Sequence, residues 1–109
     1  MTKITVRKTG TGRYTGFTCI GHAGYAEAGS DIICAAVSIL VINTINSIDS
    51  FTEDKMNLVT NEDEGLIDVR FPSTVSEKTT LLLDSMVLGL KEVKSQYGRK
   101  YLKLQFEEV

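Results

Sequence analysis

The chemistry available to this 109-residue chain centres on a single histidine, His22, and two cysteines, Cys19 and Cys34. A thiol and an imidazole brought together can attack an acyl group. Cys34 would form the acyl-enzyme, while His22 would keep it deprotonated and then protonate the leaving amine. His22 lies in Gly21-His22-Ala23-Gly24-Tyr25-Ala26-Glu27-Ala28-Gly29, a stretch rich in glycine and without helical or strand periodicity, so the segment reads as an accessible, flexible loop. Cys34 follows Ser30 and Asp31, two candidate N-caps, which predicts that it falls in the first turn of a helix. Unpaired backbone N–H groups and the helix dipole there would favour a thiolate and could hold an oxyanion.

Two further residues belong to this constellation. Asp31, three residues before Cys34, would raise the thiol pKa by charge repulsion unless it caps the helix or orients His22. Ser38 lies one helical turn after Cys34, so its hydroxyl either reaches the site as a donor or bonds back to a helix carbonyl. The same residues also admit plainer readings, since a cysteine early in an apolar helix is commonly a small core residue and a lone histidine commonly structural. A zinc site from Cys19, His22 and Cys34 is a third option. Against it, residues three apart in or beside a strand tend to face opposite ways, and Cys19 reads best as a core-facing strand residue. Gly21, Gly24 and Gly29 match neither a dinucleotide fingerprint nor a P-loop, and the acidic run Glu62-Asp63-Glu64 reads as a solvated turn.

The elements that must position these groups follow from periodicity. Lys3 to Lys8 and Tyr14 to Ile20 read as strands joined by the turn Thr9-Gly10-Thr11-Gly12. Helix one starts at Ser30-Asp31 and runs to about Phe51, with apolar residues wrapping most of its early circumference. Lys55 to Thr60 and Leu66 to Phe71 read as a second antiparallel pair. Ser76 leads into another broadly apolar helix ending near Tyr97-Gly98, and Tyr101 to Phe106 is a last strand. The order is ββαββαβ, an α+β domain, and the apolar breadth of both helices suggests that they pack between or against small antiparallel or mixed β-sheets, with separate sheets on their two sides favoured.

Composition narrows the function classes. With 42% hydrophobic residues and a single proline, the chain reads as one globular domain over residues 1–109. A formal charge of -2 and a pI near 5.3 argue against a phosphate-binding surface, so no direct nucleic-acid contact is expected. The N-terminus alternates polar and apolar residues without a signal-peptide core. The apolar run from Ile32 to Ile42 is too short to cross about 30 Å of hydrocarbon, so neither export nor membrane insertion is expected. Two cysteines in a cytoplasmic chain are read as free thiols.

At Gly21-His22-Ala23-Gly24-Tyr25-Ala26, followed by Gly29-Ser30-Asp31-Ile32-Ile33-Cys34-Ala35-Ala36-Val37-Ser38, the sequence resembles the bacterial ribosomal-processing cysteine proteases called Prp. The resemblance carries the Gly-His pair, the Asp-x-x-Cys spacing and the serine four residues later. It implies a catalytic dyad of His22 and Cys34 that removes the N-terminal extension of a large-subunit ribosomal protein precursor, cutting after an aromatic residue. It also implies a homodimer, no metal or organic cofactor, and a flexible loop over the site corresponding to Ala23 through Gly29. From another class comes the alternative of a non-catalytic ribosome-assembly protein that binds the same partner. The sequence leaves the substrate pocket open, with Tyr25 and apolar positions near the helix start as candidates to meet an aromatic side chain.

Overall fold

The computed structural model describes residues 1–21 and 28–109, leaving aside the side chains of 28–31, 97 and 98. Strands β1 (Thr2–Lys8) and β2 (Tyr14–Ile20) form a hairpin, helix α1 (Ala28–Phe51) follows, and β3 (Asn57–Asn61) and β4 (Leu66–Arg70) form a second hairpin. Helix α2 (Glu77–Val93) continues into one π turn at Lys94–Gly98 before β5 (Leu102–Glu108). The expected class and the order ββαββαβ therefore hold. The described strands join into one mixed sheet of order β3-β4-β2-β1-β5, with β5 parallel to β1 and the other pairings antiparallel. The separate sheets favoured for the two sides of the helices are thus a single sheet on one side, because β4 pairs directly with β2.

The alternation of side chains explains why one sheet suffices. Thr2, Ile4 and Val6 share a face with Phe17, Cys19, Ile67, Val69, Leu102 and Leu104 across the registered strands, and the helices pack on that face. The opposite face carries paired polar residues beside the exposed Ile20 and Val59. Arg7 donates to the Thr18 hydroxyl at 2.7 Å, Thr18 donates to Asp68 at 2.5 Å, and Gln105 donates to Thr5 at 2.9 Å.

Helix α1 buries Ile33, Val37, Val41, Ile45 and Ile48, one stripe at helical spacing, while α2 buries Leu83, Met86, Val87 and Leu90. Their remaining apolar residues are not covered as expected. Ile39 is 69% exposed and Leu81 69%, and Ile32, Ile42 and Leu88 join them on the outside. The apolar breadth of the helices thus reflects two stripes, one for the core and one turned outward. The stretch Ile32–Phe51 is long and apolar enough, by length and composition, to cross a membrane, contrary to the reading of the shorter apolar run; its inner stripe packs in the protein core.

Candidate active site

Helix α1 begins at Ala28, earlier than expected, so Gly29 and Ser30 stand in its first turn and Cys34 in its second. The expected N-cap at Ser30-Asp31 gives way because Ala28 already takes helical geometry, and a helix offers unpaired N–H groups only at its first four residues. Cys34 is therefore one turn past the donors and the strongest part of the dipole, and an oxyanion hole built from the helix terminus beside it loses its basis. Gly29 belongs to the helix and not to the preceding loop. His22, Gly24, Tyr25 and the side chain of Asp31 lie outside the described residues.

The described residues nevertheless converge. β2 ends at Ile20 and delivers Gly21, buried, against the start of α1. The backbone N–H of Gly21 donates to the carbonyl of Gly65 at 3.0 Å, extending the β2–β4 ladder to the residue that directly precedes His22. A Cβ on Gly21 would stand 3.1 Å from the Cys34 sulfur, so the thiol packs against this backbone more closely than a side chain would readily allow. Gly65 has φ +62, and a Cβ there would meet the Gly21 carbonyl oxygen at 2.2 Å; only glycine fits both the turn and the contact.

Between α1 and this end of the sheet lies a cavity of about 350 Å³, at the low end of the roughly 300–1,000 Å³ of small-ligand sites. Cys34 and Ser38 line one wall from α1, Thr2 and Cys19 the floor from β1 and β2, and the β3–β4 hairpin the other wall. Cys34 and Ser38, both expected at the site, thus line one cavity, partly buried and a helical turn apart. Cys19 joins them, buried as expected, and burial with the charge of nearby Cys34 pushes its thiol up to about 11, so it is protonated at neutral pH.

Sequence reasoning missed the hairpin wall: Thr60, Asn61, Glu62, Leu66 and Ile67 border the cavity. Glu62, read as a solvated turn, is exposed yet stands at the cavity rim. The one local signal was Gly65 after the acidic run. The rest depends on β4 pairing with β2, a contact between residues about fifty apart that no local pattern encodes.

The cavity of this α+β scaffold thus carries a partly buried thiol, and the glycine packed on that thiol directly precedes the sole histidine of the sequence. The sequence model of the cysteine protease Prp family matches residues 1–103, and the chain belongs to that family. Among curated relatives, the ribosomal processing cysteine protease Prp of Bacillus subtilis is 28% identical over 101 residues, covering 89% of this chain and 90% of that protein. The Prp of Staphylococcus aureus is 25% identical over 98 residues, covering 90% and 92%.

Solved structures agree on the fold. The S. aureus Prp protease in complex with a substrate peptide superposes with a TM-score of 0.91 at 22% identity, over 98% of this chain and 100% of that one. A Streptococcus mutans protein gives 0.88 at 25% identity, over 100% and 99%. The chain is a cysteine protease, as its family and its curated relatives indicate.

Proposed function

We propose that this protease is a site-specific endopeptidase that removes the N-terminal extension of a large-subunit ribosomal protein precursor, cutting after an aromatic residue. The observation that carries the reading is Cys34 on the wall of the cavity at the sheet end, packed against the backbone of Gly21, the chain neighbour of His22. Relatives named as ribosomal processing proteases support the substrate class. A largely apolar cavity of this volume suits one aromatic side chain better than a cofactor.

In this mechanism the Cys34 thiolate attacks the carbonyl carbon of the scissile bond, forming a thioester as the C–N bond breaks. His22 passes the proton to the departing amine, and water then hydrolyses the thioester with His22 as base. Ser38 faces the same cavity and supplies a hydroxyl to the carbonyl or to a water; Asp31 orients His22. The chemistry requires no metal or organic cofactor. The protease works in the cytoplasm as a homodimer without direct nucleic-acid contact. The outward stripe of Ile32, Ile39, Ile42, Leu81 and Leu88 supports the dimer, because a second copy would cover it.

The test is cleavage of a peptide panel, including ribosomal N-terminal extensions, by the wild type and by Cys34→Ala, with products located by mass spectrometry. A single cut after an aromatic residue, reduced at least about a thousandfold in Cys34→Ala, is expected. Binding without cutting by the wild type would replace the protease reading with that of an assembly factor.

A further inference from the structure

The sheet has two edges, and they are built differently. β5 carries Lys103, Glu107 and Glu108 along seven residues, charges that discourage pairing with another strand. β3 reads Asn57-Leu58-Val59-Thr60-Asn61, with no charge, no proline and no bulge, and every residue is exposed. No described strand pairs with its outer side.

The ladder phase fixes which backbone groups that edge offers. Gly21 N–H donates to the Gly65 carbonyl and Phe71 N–H to the Thr15 carbonyl, bracketing the β2–β4 pairing. The odd-numbered residues of β4 therefore bond to β2 and the even-numbered ones, Leu66, Asp68 and Arg70, to β3. Their partners are Asn61, Val59 and Asn57. The N–H and C=O groups of Leu58 and Thr60 consequently point off the edge. Thr60 and Asn61 also line the cavity that holds Cys34, and the Leu58 side chain lies on the same sheet face as Thr60, 48% exposed.

We propose that β3 is the docking edge for the peptide being cut: an extended segment of it pairs with Leu58 and Thr60 as a sixth strand and leads into the cavity beside Cys34. The inference rests on the endopeptidase reading above. The continuity of the edge with the cavity selects a peptide over a second copy of the chain as the occupant, since Thr60 belongs both to that edge and to the lining of the cavity that holds the thiol. Main-chain bonds of this kind give affinity whatever the side chains, while Leu58 and the cavity select apolar residues two apart in the segment.

Leu58→Pro removes the outward N–H without touching a bond to β4, a place where proline is tolerated in a sheet. The gain in kcat/KM on lengthening a cleavable peptide from about four to about ten residues is expected to shrink about tenfold in this variant. Independently of whether that variant folds, N-methylation scanned along the peptide against the wild type should impair cleavage at alternate positions. A folded Leu58→Pro chain with an undiminished length effect, or N-methyl effects without alternation, overturns the docking edge. So does a change of oligomeric state in Leu58→Pro with the length effect intact, which would give the edge to a second copy. No cleavage of any peptide by the wild type overturns the endopeptidase reading itself, and the docking edge with it.

Discussion

The two ends of the sheet solve opposite problems. At the end described above, Gly21 and Gly65 bring backbone against backbone and leave a cavity beside Cys34. At the other, hydroxyls and one carboxylate close on each other around Asp54. Its Oδ2 accepts from the Ser76 N–H at 2.9 Å, from the Ser76 hydroxyl at 2.6 Å and from the hydroxyl of Thr79, which is fully buried. Ser76 caps α2 by accepting from the Thr79 N–H at 3.3 Å, and Thr52 ties the end of α1 by donating to the Ile48 carbonyl at 2.8 Å. One end is saturated with hydrogen bonds and sets where α1 stops and α2 starts; the other keeps room for a substrate. The difference teaches that the fold is held away from its chemistry, so damage to the two ends should separate stability from turnover.

The largest separation is expected at Asp54. Asp54→Ala leaves the buried Thr79 hydroxyl only its long bond to the Thr52 hydroxyl at 3.4 Å and returns the exposed Ser76 N–H to solvent, a cost of about 1–2 kcal/mol for the lost charged acceptor and a weakened helix cap. Urea unfolding should register that loss. Cleavage by the folded fraction should stay within about twofold of wild type, because the cavity walls gain and lose nothing. Asp54→Asn, which keeps one acceptor oxygen, should recover part of the stability. A fall in kcat/KM matching the stability loss would mean that the two ends are coupled and the comparison fails.

Gly65→Ala probes the other end and should invert the pattern. Alanine at φ +62 costs about 1–2 kcal/mol, and its Cβ must displace the Gly21 carbonyl from a 2.2 Å approach. Because Gly21 directly precedes His22 in the chain, a shift of this backbone would disturb the imidazole that the proposed mechanism uses. We expect kcat/KM to fall at least about tenfold, in kcat more than KM, beyond what the unfolded fraction explains. Intact kcat in the folded protein would show that the Gly21–Gly65 contact only holds the hairpin.

How much of this was legible in the sequence differs between the ends in the same way. Ser76 was readable as the start of α2, since a hydroxyl before an apolar run is a local signature, and it caps that helix. Cys34 and Ser38 were readable as neighbours, since four residues make one turn. The start of α1 was misplaced because Ser30 and Asp31 are good caps in isolation, while Ala28 and Gly29 carry no signal of their own. Asp54 was silent, because its partners are twenty-two and twenty-five residues away and meet it only once the β3–β4 hairpin folds back. The hairpin wall of the cavity and the open edge at β3 were silent for the same reason: both follow from strand order, which alternation specifies only up to a choice of neighbour.

The smallest effect is an acid titration. Asp54 is held below its ordinary value of 3.8 by the Ser76 and Thr79 hydroxyls, which outweigh the opposing effect of burial. At Asp68 burial opposes ionisation most strongly, yet the Thr18 hydroxyl and the charges of Arg70 and Arg7 together keep it lowered as well. A carboxylate whose folded pKa is depressed binds fewer protons folded than unfolded. Its stabilisation is thus complete above the unfolded value and is lost as the pH falls through the folded one. Unfolding free energy should be flat in these two groups above about pH 5 and decline below about pH 4. Asp54→Asn and Asp68→Asn should each flatten that decline, the first through the anchored end and the second through the polar face of the sheet. Asp54 is only partly buried, so solvent screening limits its share to a fraction of what the intact hydrogen bonds contribute. A decline unchanged in Asp54→Asn would mean that the anchored end is held by the geometry of its hydroxyls and not by the carboxylate's charge.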